Sequence, residues 1–372
     1  MRKECIPLPR IAFLGGGIAS VPAGKNLLLK LAKNYQITVF SDHGDHPLMP
    51  DPVITKRIRM PSRFVRLRDL QFLFLIAIEH MKNPFAFYHA HSTYPGGMAG
   101  MILKKNFKKK LLLTLVAAEA SAVPEIKFGD ILSPRRLKLN TAVIAAADYV
   151  VVLSNFHKNE VQNIFKVKNP ISVIPFGADR NQFKHKNPHN IGRPVKLIAV
   201  SYLHPVKGIA SLLEALRILN EQGDYHLTIA GKDYDNGEMM RLAKKWKIDT
   251  KINFCGFVPH LGIHELLKNA DIFVHASLFE SQCVSFCEAM ACGIPVAATN
   301  TGLFSDLSQE CCLTVKPGDS LALSKAIIKI VEEKNVREKL IENGLTWSRQ
   351  NHADKCLEEY EKIYRNLLLD NN

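Results

Sequence analysis

Two carboxylates with seven residues between them, Glu280 and Glu288, stand in the stretch 271–300, DIFVHASLFESQCVSFCEAMACGIPVAATN. They bracket a loop and a short helix read over 283–292, with Gly293 as its stop. The first turn of a helix leaves backbone N–H groups without intrahelical partners. The backbone at Gln282, Cys283, Val284 and Ser285 is therefore a natural seat for phosphate. Glu288, one turn further in, is placed to accept two sugar hydroxyls while phosphates occupy the helix start. A lone glutamate on a helix is otherwise an ordinary solvated group, so its setting decides. Lys207 adds a cation in or just before the first turn of a helical stretch within 204–219. A positive charge there opposes the helix dipole, which points to an anion held between the two.

These residues need a scaffold that brings loop ends together. The apolar runs at 271–277 and 294–299 read as buried parallel strands, and ligands of doubly wound sheets sit beyond the carboxyl ends of such strands. The chain opens with a strand running into Gly15-Gly16-Gly17, a helix over 23–33 and a strand at 36–40. The glycines lack the spacing of a dinucleotide fingerprint. They read either as a point of close backbone approach to a ligand or as a tight turn. Further strands are expected at 85–92, ending in His91, and at 109–120, 146–154, 195–203, 225–233 and 251–259. The polar segment 184–194 reads as a linker between a first domain, 1–186, and a second, 187–353. A final helix is expected over 354–369.

The pattern Glu280-x7-Glu288-Ala289-Met290-Ala291, followed by Gly293, Pro295 and Val296, resembles the donor signature of retaining GT-B glycosyltransferases of the family-4 type, the glycosyl transferases group 1. That signature runs roughly E-G-F-x-x-x-x-x-E-A-M-A-x-G-x-P-V-V-A. Ser281 and Gln282 stand where it usually has glycine and an aromatic. The segment VIPFGADRNQF (173–183) resembles the family's Pro-Asn-Gly-Val-Asp stretch, and Lys207-Gly208 its diphosphate-gripping Lys-Gly. Tyr202 replaces the usual arginine, and Val116 stands where histidine is common, with the acid kept as Glu119.

The resemblance implies two Rossmann-like parallel-sheet domains facing a cleft, with the last helix (354–372) crossing back onto the first. It implies transfer of a hexose from a nucleoside-diphosphate sugar to an acceptor hydroxyl with retention, and no cofactor or metal. In it, Glu280 contacts the donor sugar and Lys207 the diphosphate. Gly16, Gly17, Tyr202, Gly231 and Val258 lie near the donor, and His91 and Glu119 on the acceptor side. A glycan or lipid-linked acceptor is implied. The alternatives are a non-catalytic sugar- or partner-binding relative and another enzyme on this fold, such as a nucleotide-sugar epimerase. Asp233-Tyr234-Asp235 spells the metal motif of the other large glycosyltransferase fold, but in the wrong setting.

Charge is divided unevenly. Residues 1–186 carry 28 Lys and Arg against 12 Asp and Glu, whereas 187–372 carry 21 against 23. The basic half is expected to face something anionic. Two clusters stand out: Arg63, Arg66 and Arg68 ahead of the apolar run 70–78, and Lys104, Lys105, Lys108, Lys109 and Lys110. They read either as a peripheral membrane face or as a core helix with solvated lysines. No nucleic-acid module accompanies the charge. Eight scattered cysteines and the lack of a signal peptide suit a cytoplasmic protein, peripheral on the inner membrane face if that reading holds. The run 70–78 is far short of a bilayer span.

Overall fold

The computed structural model describes residues 8–42, 48–58, 64–116, 118–185 and 191–369. Two parallel sheets organise them. The first holds β1 (Arg10–Leu14), β2 (Gln36–Ser41), β3 (Ile54–Arg57), β4 (Phe87–His91), β5 (Lys110–Thr114), β6 (Tyr149–Val152) and β7 (Ile171–Val173), in the order β3-β2-β1-β4-β5-β6-β7. The second holds β8 (Val195–Val200), β9 (Tyr225–Ala230), β10 (Ile252–Gly256), β11 (Ile272–His275), β12 (Val296–Thr299) and β13 (Leu313–Val315), in the order β10-β9-β8-β11-β12-β13. Helices cover both faces, which is why the central strands are largely apolar without alternation: Ile11, Ala12, Phe13 and Leu14 are all fully buried.

Each sheet has a point where the winding reverses. β1 pairs with β2 on one side and β4 on the other, Ile11 lying opposite both Ile37 and Phe87. β8 sits in the same way between β9 and β11. Loops leaving such strands diverge and open a crevice at their carboxyl ends. The loops after β1, β4, β8 and β11 are thus delivered to two facing crevices.

The helix Ala353–Leu369 returns to the first sheet. Cys356, Tyr360, Ile363, Tyr364 and Leu367 join the core made by Ile11, Phe13, Phe87 and Val151. Its two buried tyrosines find polar partners: the Tyr364 hydroxyl meets His89 Nδ1 at 2.8 Å, and the Tyr360 hydroxyl meets Thr114 Oγ1 at 3.0 Å. Burial holds the His89 imidazole well below its ordinary pKa, so it serves this network as a neutral ring.

Several boundaries differ from the sequence reading. The edge strand β3 was not among the expected strands; its four residues, ITKR, are all at least partly exposed. The motif helix is Val284–Ala291, with Cys283 as a left-handed N-cap at φ 64°. Arg66 and Arg68 lie within the helix Val65–Lys82 rather than ahead of it, and Arg68 is buried. Arg63, Ala117 and linker residues 186–190 lie outside the described residues, as do 370–372 of the last helix.

Candidate active site

A cleft of about 690 Å³ runs between the two crevices, walled by Gly17, His91 and Val116 on one side and Lys207, Glu280 and Ser285 on the other. A second chamber of about 490 Å³ continues it over the carboxyl end of β9, lined by Gly231, Val258 and Glu288. Tyr202, Val284 and Ser285 line both, so the two are one continuous site.

Lys207 ends the short turn Pro205–Lys207 after β8. Gly208 follows at φ 60°, and a Cβ there would lie 2.0 Å from the carbonyl oxygen of Ala276. Only glycine lets this turn press against the end of β11. The contact brings the Lys207 ammonium 2.6 Å from Glu280 Oε2, with both side chains nearly buried (12% and 11% exposed). His275 completes the group, its Nε2 lying 3.3 Å from the same oxygen and 2.8 Å from Ser277 Oγ.

Burial would discharge each member of this group. The attraction between members wins. Desolvation pushes the Lys207 ammonium down, but Glu280 outweighs it and holds it above its ordinary value. Burial likewise opposes the Glu280 carboxylate, while Lys207 and His275 hold it well below the carboxylate range. For His275, the neighbouring Cys283 sulfur and Glu280 overcome burial and push the imidazole up to about 9. His275, Glu280 and Cys283 present ligand-type atoms within 4.8 Å of one another. The residues fit a metal poorly, because the ammonium of Lys207 already rests on the carboxylate a cation would need.

Glu288 projects from the motif helix into the second chamber, and its Oε1 lies 2.6 Å from Nε2 of His260. His260 opens the helix His260–Lys268 and is packed by the Phe183 ring at 5.3 Å. The carboxylate is thereby oriented before any ligand arrives. Gly231 stands where a Cβ would be 2.1 Å from the Ser201 carbonyl oxygen, so the loops after β8 and β9 can touch only through glycine. Tyr202 and Tyr234 meet edge to face at 5.8 Å on the chamber wall, and the Lys207 ammonium lies 5.0 Å from the Tyr202 ring centre.

The two positions that depart from the family signature join the domains. Ser281 Oγ donates to the Val116 carbonyl, and Gln282 Oε1 accepts the Phe176 N–H at 3.1 Å. Gln282 Nε2 points to Cys287 Sγ at 3.4 Å, so both ends of its side-chain amide are already engaged by the protein. Asp306 reaches across from the second domain as well. Its two oxygens accept the N–H groups of Asn155 (2.5 Å) and Phe156 (2.8 Å) at the start of the helix Asn155–Phe165.

On the opposite wall, Gly17 is open, whereas Gly16 turns its N–H toward Asp42 Oδ1 at 3.4 Å and does not line the cleft. His91 lines it, at the end of β4, and burial depresses its imidazole to about 4 despite the charge of Glu119. Glu119 itself is buried at 1% exposure in the short turn Ala118–Ala120, behind His91 and facing His157. It stays in the first domain with His91 but is not among the residues that line the cleft. Asp233 spends both oxygens on the N–H groups of Asp235 and Gly237, each at 2.7 Å, so Asp-Tyr-Asp is a turn device. Cys287 and Cys292 are buried thiols pushed up by burial, Cys292 to about 12. His275, His260 and Asp306 were missed by sequence reasoning. Only His275 carried a local signal, as a polar residue ending an apolar strand five positions before Glu280.

Two parallel-sheet Rossmann-like domains facing a cleft, with the last helix packed back on the first, define a GT-B protein. The model for glycosyl transferases group 1 matches residues 180–347, and that for Glycosyltransferase Family 4 matches residues 25–182. The chain belongs to the group 1 glycosyltransferases of the GT-B fold. The O-antigen chain mannosyltransferase B of Escherichia coli is 22% identical over 232 residues, which are 59% of this chain and 61% of that one. The chain thus matches about three fifths of that relative's length. Among solved structures, sucrose-phosphate synthase of Thermosynechococcus elongatus superposes with a TM-score of 0.84 at 19% identity, covering 98% of this chain and 100% of the other. HepE of Anabaena in complex with UDP-glucose gives 0.77 at 18% identity, covering 96% and 99%. These two likenesses are of fold.

Proposed function

We propose that this protein transfers a hexose from a nucleoside-diphosphate sugar to an acceptor hydroxyl, retaining the anomeric configuration. One observation carries the reading: Lys207, Glu280, Glu288 and the first-turn amides of Val284–Ala291 face a single cleft walled by both domains. In this reading the base occupies the chamber of Gly231 and Val258. The ribose hydroxyls donate to Glu288, held in place by His260. The diphosphate lies between the ammonium of Lys207 and the amides of Val284 and Ser285, where the helix dipole and the cation both favour negative charge. Glu280 accepts from hydroxyls of the transferred sugar.

As the bond from the anomeric carbon to the phosphate oxygen breaks, charge grows on the diphosphate, and Lys207 stabilises it. The acceptor oxygen bonds to the same face of the carbon, and its proton passes to the departing phosphate oxygen. Tyr202 contributes a neutral hydrogen bond where the family places a guanidinium, so Lys207 carries the leaving-group charge with the amides alone. No metal enters the reading, because the candidate cluster found among the described residues already holds an ammonium. The neutral His91 imidazole stands on the acceptor side. The basic first half favours an anionic acceptor, a lipid-linked or cell-surface glycan such as lipopolysaccharide core. A relative named as an O-antigen chain mannosyltransferase agrees with a glycan acceptor. The described cysteines are free thiols, which suits the reducing cytoplasm.

The test is turnover of UDP-, GDP- and ADP-sugars, with and without acceptors, by wild type and Glu288→Ala, with the anomeric configuration of the product read by NMR. Turnover abolished in Glu288→Ala supports the reading. Nucleotide-sugar binding with no turnover by wild type on any donor overturns it in favour of a binding protein, to which the absent arginine and histidine at Tyr202 and Val116 already point. Isomerised sugar formed without acceptor identifies an epimerase instead.

A further inference from the structure

The helix Val65–Lys82 is apolar on both faces, and only one is covered. Phe72 and Ile76 pack inward with Phe40 and Tyr88. The opposite side carries Leu67, Leu70, Phe74 and Met81, which are 54%, 61%, 70% and 65% exposed. The intervals of three, four and seven residues place these four on one stripe of a helix. Soluble monomers rarely leave so long an apolar stripe open, and such patches mark interaction surfaces.

Charge identifies the occupant. The two acidic residues of this helix are both engaged away from the stripe. Asp69 accepts from the Tyr94 hydroxyl at 2.7 Å, and Glu79 pairs with Lys56 at 2.5 Å. Exposed Arg66 and Lys82 flank the stripe at its two ends. The neighbouring helix Met98–Phe107 packs alongside, its Phe107 ring 4.3 Å from that of His80, and it brings exposed Lys105 and Lys108 to the Met81 end. Lys104 and Lys110 are spent on Asp148 at 2.6 and 3.6 Å and take no part. A second copy seated on this face by two-fold symmetry would set these cations against themselves. An anionic bilayer matches both features, since apolar side chains enter the acyl boundary while cations stay at the phosphates.

We propose that the stripe Leu67–Leu70–Phe74–Met81, rimmed by Arg66, Lys82, Lys105 and Lys108, docks the protein on an anionic phospholipid surface. Among the described residues no helix is long and apolar enough to cross a membrane, so the attachment is interfacial. Tyr94 lines the cleft and bonds Asp69 of this same helix, so docking sets the cleft beside the headgroups. That consequence rests on the transfer reading; the docking does not, because it needs no nucleotide sugar.

The test is co-sedimentation of the full chain with phosphatidylcholine vesicles containing or lacking phosphatidylglycerol, at low and high salt. Wild type binds the anionic vesicles and is partly released by salt. Leu70→Ser/Phe74→Ser, with an unchanged melting temperature, binds roughly tenfold less or weaker still. Lys105→Gln/Lys108→Gln binds less and responds less to salt. Absence of vesicle binding at low salt overturns the proposal. So does binding that is indifferent to Leu70→Ser/Phe74→Ser. Concentration-dependent dimers in sedimentation velocity, lost in that variant and seen without vesicle binding, overturn it in favour of self-association.

Discussion

Lys207 and Glu280 form an ion pair at 2.6 Å across the carboxyl ends of β8 and β11, with both side chains close to fully buried. The pair ties the turn after one central strand to the loop after its neighbour, at the reversal point of the second sheet. Removing one partner strands the other charge in a dry site. Lys207→Ala should therefore cost about 3–5 kcal/mol of stability, the usual range for orphaning a buried charge. Lys207→Ala/Glu280→Gln should recover part of that loss in urea titrations. A loss in the double variant equal to the sum of the two single losses would show that the pair is not coupled.

His275 makes the stability of this group depend on pH. Its pKa rises from an ordinary 6.5 to about 9 on folding. A raised pKa means the folded state binds the proton more tightly, so the contribution is complete below about 6.5 and disappears as pH climbs through about 9. The stability difference between wild type and His275→Asn, measured by denaturant titration at a series of pH values, should shrink across that window. A difference that is flat with pH would place the proton elsewhere.

His260 orients Glu288 without lining the larger part of the cleft. His260→Ala should weaken nucleotide binding roughly tenfold, the worth of one charge-assisted hydrogen bond, with little change in melting temperature. Isothermal titration with nucleoside diphosphates reads it, and His260→Gln should restore part of the affinity through its own amide.

Asp306 caps a helix that belongs to the other domain. Asp306→Ala removes acceptors from two first-turn N–H groups and should cost about 1–2 kcal/mol. Faster hydrogen exchange at the amides of Asn155 and Phe156 would locate the loss at the domain junction.

The donor half of the site was legible in the sequence because it is local. Glu280, the helix start and Glu288 lie within nine consecutive residues, so spacing alone conveys geometry. The alternation of apolar strands and helical stretches conveyed two parallel sheets for the same reason. What stayed hidden depends on residues brought together from far apart: His260 with Glu288, Asp306 with Asn155, and Ser281 with Val116. That Glu119 is buried rather than lining the cleft was hidden too, because a resemblance fixes a position in the chain and not the direction of a side chain. The docking stripe was ambiguous for a chemical reason. Phe72 and Phe74 are the same residue type two positions apart, and only packing determines that one is inside and the other out.

The helix Ala353–Leu369 fills the core of the first sheet, yet the ribosome makes it after the whole second domain. Until Tyr360 and Tyr364 arrive to meet Thr114 and His89, the nascent first domain lacks one wall of its interior. The second domain therefore emerges and folds beside an unfinished neighbour, and the last helix acts as a clasp. Native assembly of the amino-terminal half is then a late event in synthesis, a built-in delay before the cleft between the domains takes shape.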